Sequence, residues 1–234
     1  MNNIEEVLEG ISSMGIAGHI RPDGDAVCSC LALYLYVKKY HPEIACDVYL
    51  DHPRPVFGFL PGFSEVKMTE ENPEQVYDLF VTCDVAALDR LSLGAKSFPR
   101  AMRTVCIDHH VSNPGFAQIN HVRGSLSSCA EVLYTLMDPQ KVDKDLAMVI
   151  YTGIVHDTGV FQYSNTSPET MRVAAKLMET GIDTSRIISE TFDSRTYVQL
   201  QVMGRVLTES ILIMDGKVIV GYLRKKDMDF YGVN

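Results

Sequence analysis

The sequence predicts an α/β fold: a doubly wound, mostly parallel β-sheet with helices on both faces, followed by a linker helix and the start of a second α/β domain. Strand-length apolar runs alternate with helical segments, as in parallel sheets that are covered on both faces. Three of these runs end in a histidine or an aspartate, at the sheet edge where ligands bind in this fold class. The last apolar runs form a hairpin, which cannot be a domain by itself.

The first half of the chain alternates helices with apolar runs. In chain order, the predicted elements are a helix over 3–13, a strand ending at His19, a buried helix over 25–40, and strands over 44–50, 77–85 and 103–108. The segment 51–76 is rich in proline and glycine, which predicts a loop that can include one turn of helix.

The second half is predicted to be mainly helical. In chain order, the predicted elements are helices over 127–137, 144–161 and 167–181, one or two helices over 183–208, and a hairpin that turns at Asp215-Gly216. Ser167 is a favoured N-cap, Pro168 fits the first helical position and Gly181 fits the helix end. The predicted domains are 1–190, a linker helix over 191–208, and the start of a second domain over 209–234.

The composition limits the classes of protein to which the chain can belong. Its 234 residues are 46% hydrophobic, which suffices for a full core. No apolar run is as long as a membrane span and the segment MNNIEEVLEG is acidic, so we expect a cytoplasmic protein without a membrane partner. Six cysteines without a C-x-x-C pair are expected to be buried, reduced thiols.

The net charge of −9 argues against a protein that holds nucleic acid through a basic surface alone. A phosphate-bearing substrate would need a local positive charge, which bound metal ions can supply. The alternative is that an acidic composition says little about function. The sequence also lacks a G-x-S-x-G motif and a P-loop, which argues against a serine hydrolase of that type and against an NTPase.

The first group of candidate ligands comprises His19, Asp23 and Asp25, three side chains within seven residues at a turn between strand and helix. Pro22 and Gly24 sharpen this turn, so the side chains can converge. Carboxylate oxygens together with an imidazole nitrogen suit Mn²⁺, Mg²⁺ or Zn²⁺. The alternative is an ordinary loop in which Asp25 caps the helix.

Further candidates follow the next apolar strands or lie in an apolar helix. Asp84 ends one strand, with a cap or turn residue as the alternative, and Asp108, His109 and His110 follow another strand. Adjacent histidines point in different directions, so one can bind metal while the other reaches the substrate. Asp157 lies in GIVHDTGVF, where a carboxylate is costly unless it is paired, hydrogen-bonded or metal-bound. The remaining histidines are interpreted as structural or exposed: His41, His52, His121 and His156.

Together these groups predict one pocket. A doubly wound sheet brings the ends of neighbouring strands close to each other, and this many carboxylates at close range would repel one another. Two divalent cations would offset the repulsion. The sequence therefore predicts a two-metal site that hydrolyses a phosphate ester.

Four motifs stand in a fixed order along the chain. They are H-x-x-P-D-G-D-A at 19–26, C-D-V-A-A-L-D-R-L at 83–91, D-H-H at 108–110 and G-I-x-x-D-T-G-x-F-x-Y-x-N-T at 153–166. In this order they resemble the DHH phosphoesterases, and the resemblance covers about residues 3–200. The chain most resembles the nano-RNase and pAp phosphatase branch, which hydrolyses very short oligonucleotides and 3′-phosphoadenosine 5′-phosphate with Mn²⁺.

The resemblance implies a role for each candidate residue. One metal would be bound by His19 and Asp23, the other by Asp25, His109 and Asp157, and Asp84 would bridge the two. His110 would lie beside the scissile phosphate, and Asp108 would orient a histidine. Arg90 would brace its motif or bind substrate weakly. It implies two Mn²⁺ ions, with Mg²⁺ or Co²⁺ as alternatives, and a short oligonucleotide or nucleotide as substrate. A homodimer is left open.

The family usually continues into a second domain with a glycine-rich, histidine-bearing substrate motif, of which residues 209–234 would be the start. One alternative function is an inorganic pyrophosphatase, but that related family usually has Asn-Pro-Asp-Thr-Asp-Ser where this chain has Arg-Pro-Asp-Gly-Asp-Ala. The other alternative is a regulatory module that binds nucleotides without cleaving them. The loss of a metal ligand would favour it, and no ligand is missing.

Overall fold

The computed structural model describes residues 1–70, 72 and 74–232. These residues form two compact units, which comprise residues 1–192 and 193–234. The predicted division into 1–190, 191–208 and 209–234 stays a prediction.

The first unit is built on a five-stranded sheet in which every pair of neighbouring strands is parallel. In chain order the strands are β1 (Ser13–Ala17), β2 (Ala45–Tyr49), β3 (Leu79–Cys83), β4 (Arg103–Asp108) and β5 (Ile119–Val122). The predicted α/β class and the first four strands are confirmed. The sequence analysis missed β5, because its four residues are partly exposed and form no apolar run.

The strand order β2-β1-β3-β4-β5 reverses direction between β1 and β3. In open α/β sheets, ligands bind beyond the carboxyl ends of the strands at such a reversal. Ala17 pairs with Thr82 at the end of this strand pair, so the residues that follow β1 and β3 emerge side by side. The fold thus places His19 and Asp84 at the switch point.

Long α-helices cover one face of the sheet. In chain order the helices of the first unit are α1 (Glu5–Leu8), α2 (Gly24–Tyr40), α3 (Cys129–Leu136), α4 (Lys144–Asp157), α5 (Pro168–Met178) and α6 (Thr184–Ile188), followed by a π-helical turn over Ser189–Asp193. Helix α2 is almost entirely buried because it packs against β1, β2 and β3 on one side and α3 and α4 on the other.

The opposite face of the sheet is covered by short 3₁₀ helices and loops. Alternate residues of a strand point to opposite faces, so Leu79 and Val81 join the α2 core while Phe80 lies on the other side. There Phe80 packs edge-to-face against Tyr77 and Phe98, at ring-centroid distances of 5.6 and 5.8 Å. Helices therefore lie on both faces as predicted, but those of the second face are single 3₁₀ turns.

Helix α4 is shorter than the predicted segment 144–161, since it ends at Asp157. Gly159, Val160 and Phe161 have φ values of 55°, 58° and 63°, so three consecutive residues lie in the left-handed region. A right-handed helix cannot continue through such a turn. The turn places Asp157 at the end of α4, where its side chain is 27% exposed.

The second unit contains α7 (Tyr197–Thr208), the strands β6 (Ile211–Ile213) and β7 (Val218–Val220), and α8 (Lys225–Tyr231). The predicted hairpin is confirmed as an antiparallel pair. The predicted helix over 191–208 instead begins at Tyr197, because Thr196 and Gln199 form a capping box. Helix α8 was missed by the sequence analysis.

All six cysteines carry free thiols, and five of them are buried. This agrees with the expected reduced state. Within the described part of the chain, none of the helices combines the length and the apolar character that a bilayer crossing requires.

Candidate metal centre

The turn after β1 orients His19 and Asp23. The Nδ1–H of His19 donates to the carbonyl oxygen of Ile20 at 2.8 Å, which leaves Nε2 with a lone pair. Asp23 is the N-cap of α2, and its Oδ1 accepts hydrogen bonds from the backbone N–H groups of Asp25 and Ala26. The residue that caps this helix is therefore Asp23, not Asp25 as the alternative interpretation of the motif proposed.

Asp25 is 1% exposed and is held from a different part of the chain. The backbone N–H groups of Cys129 and Ala130, at the start of α3, donate to its two carboxylate oxygens at 2.6 and 3.0 Å. The Ser29 hydroxyl donates to Oδ1 at 3.1 Å. Asp25 thus links the start of α2 to the start of α3.

Asp84 follows β3 and is 2% exposed. Its φ of 60° lies in the left-handed region, which is uncommon for a residue other than glycine, and its N–H donates to the carbonyl oxygen of Ile107. Its Oδ1 is buried and has no hydrogen-bond partner among the described residues. A strained backbone with an unsatisfied buried carboxylate oxygen is typical of a functional position.

Asp108, His109 and His110 follow β4. The buried Asp108 carboxylate accepts hydrogen bonds from the His109 N–H and from the Nδ1–H of His110, both at 2.8 Å, and from the Asn113 side chain at 2.7 Å. The His110 side chain is 40% exposed. With Nδ1 engaged by Asp108, the Nε2 of His110 is left to face a substrate.

The donor atoms of the six predicted ligands lie within 4 Å of at least one other donor atom in the group. His19 Nε2 lies 3.6 Å from Asp84 Oδ2 and 3.7 Å from Asp23 Oδ1. His109 Nε2 lies 3.5 Å from Asp84 Oδ1 and from Asp157 Oδ2, and 3.9 Å from Asp25 Oδ2. The structure thus brings together all six residues predicted as ligands: His19, Asp23, Asp25, Asp84, His109 and Asp157.

The six predicted ligands fall into two sets, and a third possible set, Asp84, Asp108, His109 and His110, overlaps both of them. One set contains His19 and Asp23 with Asp84, and the other contains Asp25, His109 and Asp157, whose His109 also lies beside Asp84. Two ligands of one ion, each at about 2.1 Å, are roughly 3.0–3.6 Å apart at ordinary coordination angles. The spacing, the chemistry of the donors and the orphaned Asp84 oxygen all fit a pair of divalent cations.

The electrostatics of the cluster also fit bound cations. Burial, together with the negative charge of Asp157 and Asp23, raises the pKa of Asp25 to about 7, although His109 opposes the shift. Burial and the neighbouring carboxylates raise the pKa of Asp84 well above its ordinary range. Burial likewise raises the pKa of Asp157, which also lies at the negative end of the α4 dipole. Without a cation, these three carboxylates resist ionisation.

In three neighbouring residues, Asp23, His19 and Asp108, the contacts instead favour the charged form. Burial opposes ionisation of Asp23, but His19 and the N–H groups at the start of α2 outweigh it and lower the pKa of Asp23 to about 2. Burial likewise disfavours the protonated form of His19, yet the contacts with Asp23 and the Ile20 carbonyl raise its pKa. In Asp108, the hydrogen bonds from His110 and Asn113 outweigh burial and lower the pKa.

We expect the metal-free protein to lose stability as the pH rises from about 6.5 to about 7.5. A carboxyl whose folded-state pKa is raised stabilises the fold below its unfolded pKa, and this contribution is lost as the pH rises through about 7 for Asp25. Thermal unfolding in chelator across this range measures the effect. The lowered pKa values of Asp23 and Asp108 act below this window, and so does the lowered pKa of His156, which makes stability rise with pH only between about 4 and 6.5.

The variant Asp25→Asn is expected to flatten this pH dependence, because it removes the titrating group. Saturating Mn²⁺ should flatten it in the native chain, because a cation holds the carboxylates ionised at every pH in the window. A metal-free protein whose melting temperature rises from about pH 6.5 to about pH 7.5 would contradict the expected sign.

The sequence analysis missed two residues that hold the cluster. Asn113 donates to both Asp108 and the carbonyl oxygen of Val85, which joins the segments that follow β3 and β4. Asn165 donates to the carbonyl oxygens of Ser127 and Asp157, both at 3.0 Å. Asn165 lies inside the quoted N-T motif, which was the available signal, whereas nothing in the sequence marks Asn113.

Arg90 and the remaining histidines lie outside the donor sets. The Arg90 carbonyl oxygen accepts a hydrogen bond from the Ile20 N–H at 2.8 Å, so its backbone contacts the loop that carries His19. His41 is paired with Glu5 at 2.7 Å, and His52 is exposed. Burial and the charge of Arg54 lower the pKa of His156 to about 4, so this side chain is neutral near pH 7.

A parallel α/β sheet with acidic and histidine side chains at its switch point defines the class of the protein, an α/β protein with a candidate metal centre. The chain belongs to the DHH family, since the model of the DHH family's N-terminal domain matches residues 13–154. The structure thus confirms the fold, and the family match confirms the resemblance that the four motifs indicated.

Proteins that are similar to the chain include two curated relatives and one solved structure. "Bifunctional oligoribonuclease and PAP phosphatase NrnA" of Thermus thermophilus is 30% identical over 227 residues, which cover 95% of this chain and 67% of that protein. The Bacillus subtilis protein of the same name is 26% identical over 219 residues, which cover 92% and 67%. An exopolyphosphatase-related protein from Bacteroides fragilis shares the fold with a TM-score of 0.88 at 23% identity, over 98% of this chain and 71% of that one.

Proposed function

We propose that the chain hydrolyses the phosphate esters of short oligoribonucleotides and of pAp-like nucleotides, using two Mn²⁺ ions. The observation that carries the proposal is the division of six ligand side chains into two sets around Asp84. The names of the Thermus thermophilus and Bacillus subtilis relatives support this choice of substrates.

In this proposal each residue keeps the role that the motifs implied. His19 and Asp23 would hold one ion, Asp25, His109 and Asp157 would hold the other, and Asp84 would serve both. When bound, two such ions lower the pKa of water and stabilise negative charge on phosphoryl oxygens. A histidine nitrogen combined with hard carboxylate oxygens suits Mn²⁺, and Mg²⁺ or Co²⁺ can use the same donors.

His110 is the proposed general acid. Its Nδ1–H donates to Asp108, which fixes the orientation of the ring. The exposed Nε2–H can then donate its proton to the oxygen of the leaving group as the phosphorus–oxygen bond breaks. Asp108 acts through His110 and is therefore a positioning residue, itself held by Asn113.

The second unit has a proposed place in this activity. The DHH domain is proposed to comprise residues 1–190, and a linker helix over 191–208 would follow it. Residues 209–234 would belong to the substrate-binding domain of the family. The six free thiols support a reducing compartment, and we propose the cytoplasm.

A comparison of substrates tests the proposed function. With Mn²⁺, we expect a dinucleotide and pAp to be hydrolysed about 10²-fold faster than pyrophosphate. This ratio corresponds to a difference of about 3 kcal/mol between the activation barriers. Initial rates at equal substrate concentrations measure it. The variant Asp157→Asn should be inactive, whereas the control Asp145→Asn, at the other end of α4, should keep the native rates.

Faster hydrolysis of pyrophosphate would instead favour the alternative of an inorganic pyrophosphatase. Nucleotide binding without any hydrolysis in Mn²⁺, Mg²⁺ or Co²⁺ would favour the regulatory module.

A further inference from the structure

A pocket of about 640 Å³ lies beside the metal centre, on the side of Asp23. Its lining comes from the loop after β1, the loop after β2 and the end of α4, and all of these belong to the first unit. The volume is within the usual range for small-molecule sites. Since Asp23 belongs both to this lining and to the donor cluster, one ligand can reach both places.

The pocket has two unpaired cations on its rim. Arg21 and Arg54 are exposed, and neither has an ion pair or a hydrogen bond from its side chain within the described residues. The nearby acid Asp51 contacts His52 Nδ1 at 2.8 Å and accepts a hydrogen bond from the Ser92 hydroxyl at 3.0 Å, and Arg21 acts on it only through its charge, without a hydrogen bond. The two guanidinium groups are therefore available to an anionic ligand.

Two rim residues have an uncommon backbone conformation. Arg21 and His52 have φ values of 52° and 51°, in the left-handed region that residues other than glycine rarely adopt. Such conformations persist only where the surrounding structure fixes them, and they cluster at ligand sites. Both of these residues line the same pocket.

The floor of the pocket is rigid. The His156 ring packs edge-to-face against Phe57 and Phe192, at centroid distances of 5.2 and 5.7 Å. A Cβ on Gly24 would lie only 2.2 Å from His156 Cγ, so only glycine fits there. His156 Nε2 is buried and has no hydrogen-bond partner among the described residues, which leaves an unsatisfied polar atom in the lining.

We propose that this pocket binds a second phosphate group of the substrate, the one that is not hydrolysed, through Arg21 and Arg54. The inference rests on the proposed function and names a feature of its substrates. Guanidinium groups bind phosphate through paired, charge-assisted hydrogen bonds. A nucleoside 3′,5′-bisphosphate and a 5′-phosphorylated dinucleotide both carry a second phosphate one nucleoside away from the scissile one.

The test compares two substrates that differ only in this phosphate, the 5′-phosphorylated dinucleotide pApA and the unphosphorylated ApA. In Arg21→Gln/Arg54→Gln, we expect kcat/KM for pApA to fall by about 10- to 100-fold, mainly through KM, and kcat/KM for ApA to change by less than about 3-fold. Arg54→Lys should restore part of the loss. The control Arg172→Gln removes an exposed arginine of α5 that pairs with Glu169, and it should leave both values unchanged.

A loss of equal size for pApA and ApA, or no loss for either, would overturn the pocket assignment and leave the hydrolytic function standing. If the native chain proves not to hydrolyse these substrates, the pocket can still be tested. The measurement is then the affinity for pApA and for ApA in the presence of chelator. If the native chain cleaves neither substrate but binds pApA more tightly than ApA, and the double variant loses that preference, the pocket assignment stands. Equal binding of pApA by the native chain and the double variant overturns it.

Discussion

Replacing Asp84 with asparagine is expected to lower kcat/KM on a dinucleotide by about 10³-fold or more, since the variant removes a charge worth several kcal/mol to the transition state. Asp84 is the carboxylate that lies within 3.6 Å of both His19 and His109. Asparagine tolerates the left-handed backbone at this position, so the loss can be assigned to the carboxylate.

The same variant is expected to raise the melting temperature of the metal-free protein. Asp84 is buried, its pKa is strongly raised, and one of its oxygens has no hydrogen-bond partner in the described structure. A neutral amide removes the cost of that charge. Activity and stability should therefore move in opposite directions, which a general loss of folding cannot produce.

Kinetics and thermal unfolding, each with Mn²⁺ and with chelator, measure the two effects of this variant. The matched control is Asp89→Asn, an exposed aspartate in the same segment of the chain. Full activity of Asp84→Asn, or a lower melting temperature in chelator, would show that Asp84 does not have the proposed role.

Replacing His110 with glutamine is expected to slow the hydrolysis of a dinucleotide by about 10²- to 10⁴-fold, the usual contribution of a general acid. The leaving ribose oxygen is a poor leaving group and needs a proton. A nitrophenyl phosphodiester has a good leaving group and does not, so the same variant should hydrolyse it within about tenfold of the native rate.

The ratio of the two rates is the measurement that identifies the acid. Asp108→Asn should reproduce part of the effect, because Asp108 accepts a hydrogen bond from the His110 ring. If His110→Gln lowered both rates equally, His110 would position the phosphate instead of donating a proton. A titration of the variant with Mn²⁺ measures metal binding and checks that the metal centre is intact.

Much of the fold could be predicted because its signals are local. The strand β4 was predicted over 103–108 and is observed over Arg103–Asp108, since an uninterrupted apolar run with β-branched residues marks a buried strand. The convergence of His19 and Asp84 followed from the topology, because parallel strands present their carboxyl ends at one edge. The DHH motifs made this expectation specific to a family.

The rest depends on contacts between distant parts of the chain. The hydrogen bonds from Cys129 and Ala130 to Asp25 join residues more than 100 positions apart, and no local pattern encodes them. Likewise, the end of α4 at Asp157 is fixed by a left-handed turn that includes Val160 and Phe161, residues whose side chains disfavour that conformation.

The ligands of the proposed centre are spread from His19 to Asp157. During synthesis, a nascent chain that has not yet extended past residue 157 lacks part of this donor set. A growing polypeptide can therefore complete this donor set only after about four-fifths of the first unit has been synthesised.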